Sequence, residues 1–211
     1  GDGIGPEVIK QAKKVLEGVA MKFSHEFEYE YALVGAEAID KTGSPLPEET
    51  IEICRRADAV LFGAIGHPSY DNNPKATVRP EQGLLQLRKS LGLYANIRPV
   101  KLFDSLIKHS PLKEERIKGT DLIVYRELTG GIYFGDKGRD EDGLSAYDVC
   151  KYSVNEIERV AVMAFDAAMR RRKKVTLVDK ANVLETSRLW RETVQALAEK
   201  YPEVEVEYLY V

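Results

Sequence analysis

The sequence predicts an α/β fold with a largely parallel sheet, on two observations. Apolar residues recur at helical spacing in long stretches, and between those stretches lie short runs rich in β-branched and aromatic residues. At 211 residues, 44% of them hydrophobic and 31% charged, the chain has material for one large or two small domains, each with its own core.

The elements follow in order. Pro6, after the glycine turn Gly1 to Gly5, suits a first helical position, and Val8, Ile9, Ala12, Val15, Leu16 and Val19 then repeat as on one helix face. Phe27, Tyr29, Tyr31 and Leu33 alternate and predict a strand; Asp58 to Ile65 predicts a second, more buried one, with helical composition from Pro47 to Arg56 between them. Gly66 to Pro80 reads as an irregular loop able to border a site. Leu93 to Val100 predicts a strand leading into Pro99, where a domain crossing is placed, giving domains at 1–99 and 100–211. Asp121 to Glu127 is a strand, Thr129 to Gly135 a glycine turn into an extended piece, and Asp136 to Asp148 a protruding arm. Ser153 with Glu156 forms a capping box that opens a helix carrying Ile157, Val160, Ala161, Ala164, Phe165 and Ala168. The basic run Arg170 to Lys174 suits that helix's C-terminal end. Val175 to Asp179 is a strand, Leu184 to Lys200 a helix with Trp190, Val194 and Leu197 inward, and Val204 to Val211 a last strand.

Charge and composition narrow the function. A net charge of -3 disfavours a nucleic-acid binder held by a general positive field, and no apolar run approaches the roughly 18 residues of a membrane span. Cys54 and Cys150 lack metal-ligand spacing and predict free thiols in a reducing cytoplasm; His25, His67 and His109 are scattered.

On a helix, Glu81, Leu84, Leu85 and Arg88 share one face. Two readings stand. Such a face can be an ordinary amphipathic one, with Leu inward and charges in water, or a wall for a branched acid, with Arg on a carboxylate and Leu on the branch. Arg98, Arg126 and Lys180 fall at predicted strand ends, where open α/β sheets bind ligands, and Tyr133 follows a double glycine. The three Arg suit a polycarboxylic acid, and Tyr133 with Lys180 suits proton transfer; taken singly, each is as well read as a surface salt-bridge residue. Gly1-x-Gly3-x-Gly5 can cradle phosphate, although it lacks the GxGxxG spacing and Pro6 removes one donor.

At these residues the chain resembles the β-decarboxylating dehydrogenases, the isocitrate/isopropylmalate dehydrogenase family. The resemblance rests on GDGIGPE at Gly1 to Glu7, RPEQGLLQLRKSLGLYANIRPV at Arg79 to Val100, SPLKEE at Ser110 to Glu115, RELTGGIYFG at Arg126 to Gly135 and VDKANVLETSRLWR at Val178 to Arg191. Glu81 with Leu84 and Leu85 is similar to the hydrophobic pocket of the isopropylmalate branch. The resemblance implies a two-domain fold distinct from the standard Rossmann fold, incomplete here. It implies NAD-dependent oxidation and decarboxylation of a 2-hydroxy dicarboxylic acid, 3-isopropylmalate, in leucine biosynthesis.

Roles follow by the same resemblance. Arg88, Arg98 and Arg126 hold carboxylates, Leu84 and Leu85 enclose the isopropyl group, and Val183 approaches the substrate. Glu81, Asn182 and Ile4 lie at the cofactor. Lys180 assists removal of the hydroxyl proton, and Tyr133 protonates the enol. The implied assembly is a cytoplasmic homodimer that shares its site between subunits, with an arm near 133–152 at the interface, and it uses NAD with Mg2+ or Mn2+. Relatives acting on D-malate or tartrate, homoisocitrate or isocitrate remain alternatives, as does a non-catalytic regulatory subunit. The opening glycine turn and the closing strand-like run suggest a piece of a longer protein. The family's metal-binding aspartates and adenosine-binding segments are expected after Val211, so these 211 residues alone are expected not to turn over substrate.

Overall fold

The computed structural model describes residues 1–73 and 76–211. Pro74 and Lys75, inside the loop read as irregular, lie outside the described residues. The chain divides into two compact units, Gly1–Gly92 and Leu93–Val211.

In the first unit, α1 spans Gly5–Phe23 and ends at Ser24, whose φ of 57° is left-handed. Then come α2 (Ala36–Thr42), α3 (Glu48–Arg56), the single turn α4 (Pro68–Asp71) and α5 (Pro80–Ser90). Helix α3 begins with Glu48 and Glu49 and ends with Arg55 and Arg56, each pair opposing the helix dipole end beside it. The unit's core gathers Val34, Leu46, Ile51 and Leu87, with Cys54, Phe62, Ile65 and Leu91 packed around it.

Two expected strands are absent as ladders. Residues 27–33 and 58–65 carry no regular secondary structure, because a strand needs a hydrogen-bonding neighbour and neither has one among the described residues. The second is not buried either: Val60 and Leu61 are 43% and 49% exposed. The apolar stripe of α1 is only partly covered: Val8 and Val15 are exposed, whereas Ile9, Ala12, Leu16 and Val19 are half-buried. Among the described residues of the loop from Gly66, α4 is regular, and there Ser69 N donates to His67 Nδ1 at 3.3 Å.

In the second unit β1 (Ala95–Lys101) is followed by a 3-10 stretch (Asp104–His109), the single turn α6 (Glu114–Ile117) and β2 (Asp121–Glu127). The expected extended piece after Thr129 is instead a 3-10 turn, Gly131–Tyr133, since Phe134 N and Gly135 N both donate to Gly131 O. An exposed hairpin of β3 (Lys137–Arg139) and β4 (Ala146–Asp148) leads to α7 (Val154–Met169), β5 (Lys174–Asp179), α8 (Glu185–Ala198) and β6 (Glu205–Tyr210). Ser153 and Glu156 close their capping box, with Ser153 N donating to Glu156 Oε2 at 2.8 Å.

The parallel pairing expected for the sheet is found at β5–β6, whereas β1–β2 and β3–β4 are antiparallel. Connection length explains the difference. Helix α8 supplies the crossover that parallel neighbours need, whereas no helix long enough to do so lies between β1 and β2. Pro99 sits within β1, opposite Ile123.

This unit's core is the seam of α7 and α8: Ile157, Ala161, Phe165 and Ala168 meet Val194, Leu197 and Val204, with Val175, Leu177, Trp190 and Val206 around them. The Phe165 and Tyr201 rings stack at 4.9 Å. The basic run after α7 is largely consumed in ion pairs, Arg171 with Asp121 at 2.8 Å and Lys174 with Glu207 at 3.2 Å. Among the described residues no helix is long and apolar enough to cross a membrane.

The cores predict a contrast. In urea unfolding of the chain, Phe165→Ala should cost about 3–5 kcal/mol, the range for emptying a buried aromatic site. Met21→Ala, at a position 82% exposed, should stay within about 0.5 kcal/mol.

Candidate active site

In the first unit the ambiguity of α5 resolves at its inward stripe. Pro80, Gly83 and Leu87 are buried, and Leu91 packs against the same core. A Cβ at Gly83 would stand 2.3 Å from Pro45 O, so only glycine lets α5 lie this close to the Pro45 backbone. The core therefore takes positions 80, 83, 87 and 91, which leaves Glu81, Leu84, Leu85 and Arg88 on the neighbouring face. Leu84, Leu85 and Arg88 are half-buried and Glu81 is exposed.

The amino-terminal turn lies beside Glu81. The Asp2 carboxylate is buried and accepts Ala36 N at 2.8 Å, Glu37 N at 3.3 Å and Gly66 N at 3.1 Å. It thereby occupies the amides that open α2, and the glycines of this turn serve close packing: a Cβ at Gly1 would meet Ala64 O at 2.3 Å. A Cβ at Gly66 would lie 2.7 Å from Glu81 Oε1, and one at Gly3 would lie 3.6 Å from Gly66 O. Gly66 thus brings Glu81 alongside the turn that carries Ile4, which is 62% exposed at the start of α1.

The second unit gathers three of the expected groups. Asn96 pairs with Arg126 across β1–β2, and Arg98 is two residues on, so Asn96, Arg98 and Arg126 share one sheet face. With its amide turned so that oxygen faces the guanidinium, Asn96 accepts Arg98 Nη2 at 3.1 Å and Nε at 3.2 Å. The Arg126 guanidinium lies 5.3 Å over the Tyr133 ring. Two guanidiniums on one face can bind carboxylates, and a phenol beside one of them can pass a proton to what they hold.

Lys180, Asn182 and Val183 come together in the turn after β5, where Val183 N donates to Lys180 O at 2.9 Å. The Lys180 ammonium donates to Val211 O rather than to Tyr133. Asp179, buried just before it, accepts Ala181 N at 2.9 Å and both arms of Arg191, Nε at 3.0 Å and Nη2 at 2.9 Å. Arg191 in turn lies 5.1 Å from the Tyr208 ring and 4.9 Å from the Tyr210 ring, and its bond to Asp179 raises its pKa.

Glu127, Arg159, Asp179 and Arg191 escaped sequence reasoning, which concentrated on the cations at strand ends. Their signal was present as a carboxylate closing each strand, in RELTGG and VDKAN, immediately before a turn whose amides need acceptors. Among the described residues no group of three or more His, Cys, Asp or Glu stands together to hold a metal ion.

Two tests follow from the turn that holds Tyr133. Gly131 has φ +72°, and a Cβ there would meet Tyr152 Oη at 2.2 Å, so Gly131→Ala should destabilise the chain by about 1–3 kcal/mol in denaturant. Burial pushes the Tyr152 phenol above its ordinary value. The unfolded chain therefore gives up that proton first, and stability present below the ordinary phenol range falls as pH rises through it. Urea midpoints taken from about pH 8 to 11 should show the fall, reduced in Tyr152→Phe.

The family model described as isocitrate/isopropylmalate dehydrogenase matches residues 1–211. The chain is 56% identical over 211 residues to the 3-isopropylmalate dehydrogenase of Bacteroides fragilis, covering 100% of this chain and 59% of that protein. With that of Clostridium acetobutylicum it shares 58% identity over 214 residues, covering 100% and 60%. The chain thus spans about three fifths of the length of these curated relatives. Among solved structures, isocitrate dehydrogenase from Methylococcus capsulatus superposes with a TM-score of 0.81 at 31% identity, covering 100% of this chain and 58% of that one. The TT0538 protein from Thermus thermophilus gives 0.83 at 28% identity, covering 100% and 40%. Arg98 lies in the middle of β1 and not at a strand end as expected, and Tyr133 lies on a 3-10 turn. With these matches to relatives and solved structures, the chain belongs to the isocitrate/isopropylmalate dehydrogenase family.

Proposed function

We propose that the protein carrying this chain oxidises and decarboxylates 3-isopropylmalate with NAD, as a cytoplasmic homodimer serving leucine biosynthesis. The observation that carries the reading is the β1–β2 face that Arg98 and Arg126 share, with Arg126 over the Tyr133 ring. Relatives named 3-isopropylmalate dehydrogenase, 56% and 58% identical to the chain, support the choice of substrate.

The roles follow from the chemistry of each group. Arg98 and Arg126, and Arg88 in its own unit, are suited to hold carboxylates as charge-assisted hydrogen-bond donors. Leu84 and Leu85, left outside the core by the inward stripe of α5, take the isopropyl branch, and Val183 adds apolar contact. Glu81 fits a ribose diol, which its carboxylate can accept, and Ile4 and Asn182 offer an apolar and an amide contact to a nicotinamide. Held by these residues, an oxidised nicotinamide would supply the hydride acceptor for C2.

Lys180 receives the hydroxyl proton as C2 becomes a ketone. The bond from C3 to its carboxylate then breaks, its electron pair forms the enolate as carbon dioxide leaves, and Tyr133 donates a proton to C3. Tyr133 then regains a proton and Lys180 loses one through solvent. In the homodimer, Lys180 reaches the site from the partner subunit. Mg2+ or Mn2+ belongs to the proposed activity, but the described residues form no metal centre, and no step is assigned to one.

Comparing kcat/KM for 3-isopropylmalate, isocitrate, homoisocitrate and D-malate in the full-length protein tests the substrate. The first should lead by at least about tenfold, since a filled apolar subsite is worth about 1–3 kcal/mol. Leu84→Asn should lower 3-isopropylmalate efficiency by about 10–100-fold; unchanged efficiency would remove Leu84 from the pocket.

A further inference from the structure

We propose that Glu127 is a positioning residue for the proton-transfer step, acting through the turn that holds Tyr133 beside Arg126. The proposal rests on the reading of Tyr133 as proton donor. Glu127 closes β2, and its side chain is 1% exposed. Oε2 accepts Thr129 N at 2.9 Å and Gly130 N at 2.6 Å; Oε1 accepts Thr129 Oγ1 at 2.9 Å and Arg159 Nη2 at 2.6 Å. Arg159 Nη2 also donates to Thr129 Oγ1 at 2.6 Å, and its guanidinium lies 4.7 Å over the Tyr94 ring.

One carboxylate therefore sets the first two amides of the turn, three residues ahead of the phenol. The far side of the same turn is tied by Gly131 N donating to Lys151 O at 2.9 Å. No other described group accepts from the Thr129 and Gly130 amides.

The two functional neighbours of Glu127 depend on it unequally. Arg126 lies within β2 and is placed by its ladder with Asn96. Tyr133 lies beyond the ladder, on the turn that Glu127 holds. A defect at Glu127 should thus spare the hold on carboxylates and disturb the donor, and small displacements of a reacting group cost large factors in rate.

The test is steady-state kinetics on the full-length protein with 3-isopropylmalate, in a cycle of Glu127→Gln and Tyr133→Phe. Glu127→Gln should lower kcat by about 10–100-fold while KM moves less than about threefold. In the Tyr133→Phe background, the same change should cost less than about threefold, because the group it positions is already gone. An equal loss in both backgrounds, or a rise in KM at constant kcat, overturns the proposal. Tyr133→Phe with undiminished kcat overturns the reading of Tyr133 itself, and the proposal with it, and the single variant shows which has failed.

Arg159→Lys keeps Glu127 and the charge but removes the bond to Thr129 and the stack on Tyr94. It should lower kcat in the same Tyr133-dependent way, and it carries the test if Glu127→Gln does not fold. A loss independent of Tyr133 again overturns the proposal.

Discussion

A carboxylate withdrawn from water must be met by donors, and at Glu127 that requirement organises the second unit. An isolated buried carboxylate is strongly disfavoured, whereas one bonded to two amides, a hydroxyl and a guanidinium is held in one place and holds its partners there. The strand end, the glycine turn and α7, which brings Arg159, are fixed together by one side chain. Asp179 repeats the arrangement at the end of β5, with Ala181 N and Arg191 of α8 as donors. In both places the Arg also lies over tyrosine rings, so its non-bonded face is covered without a second charge.

Asp2 applies the same chemistry in the first unit, where it gathers amides from α2 and from Gly66. The phosphate-cradle reading of the opening glycines loses two donors, since Asp2 N donates to Ala64 O and Gly5 N to Asp2 O. The amides of α2 already have an anion, and the glycines are needed because backbone runs against backbone at Ala64. The outcome for function is placement, since Gly66 sets Glu81 next to the turn of Ile4.

Much of the second unit was legible along the chain. The capping box at Ser153, the inward faces of α7 and α8 and the strands on either side of α8 are written in local periodicity and cap chemistry, which need only a few turns of chain to act. In the first unit the alternation at Phe27 to Leu33 and the apolar run at Asp58 to Ile65 form no ladder among the described residues. Pairing is a property of neighbours, not of the segment that alternates. For the candidate site, the residue types were legible and their support was not: Arg126, Tyr133 and Lys180 stand out by charge and by glycine context, whereas Glu127 and Asp179 read as ordinary strand-ending acids.

The sequence by itself determined the α/β class, the helices with their caps, the free-thiol character of Cys54 and Cys150, and, through long specific runs, the family. Reading of the sequence put Leu87 and Leu91 in the core, and tertiary structure supplied the reason, because the close approach of Gly83 to Pro45 turns Pro80 and Leu87 inward. Tertiary structure alone decided that Arg98 and Arg126 share a sheet face, since that follows from register. It also made two buried acids into the anchors of the turns that carry Tyr133 and Lys180, because hydrogen-bond donors 32 and 12 residues away had to be brought to them by helix packing.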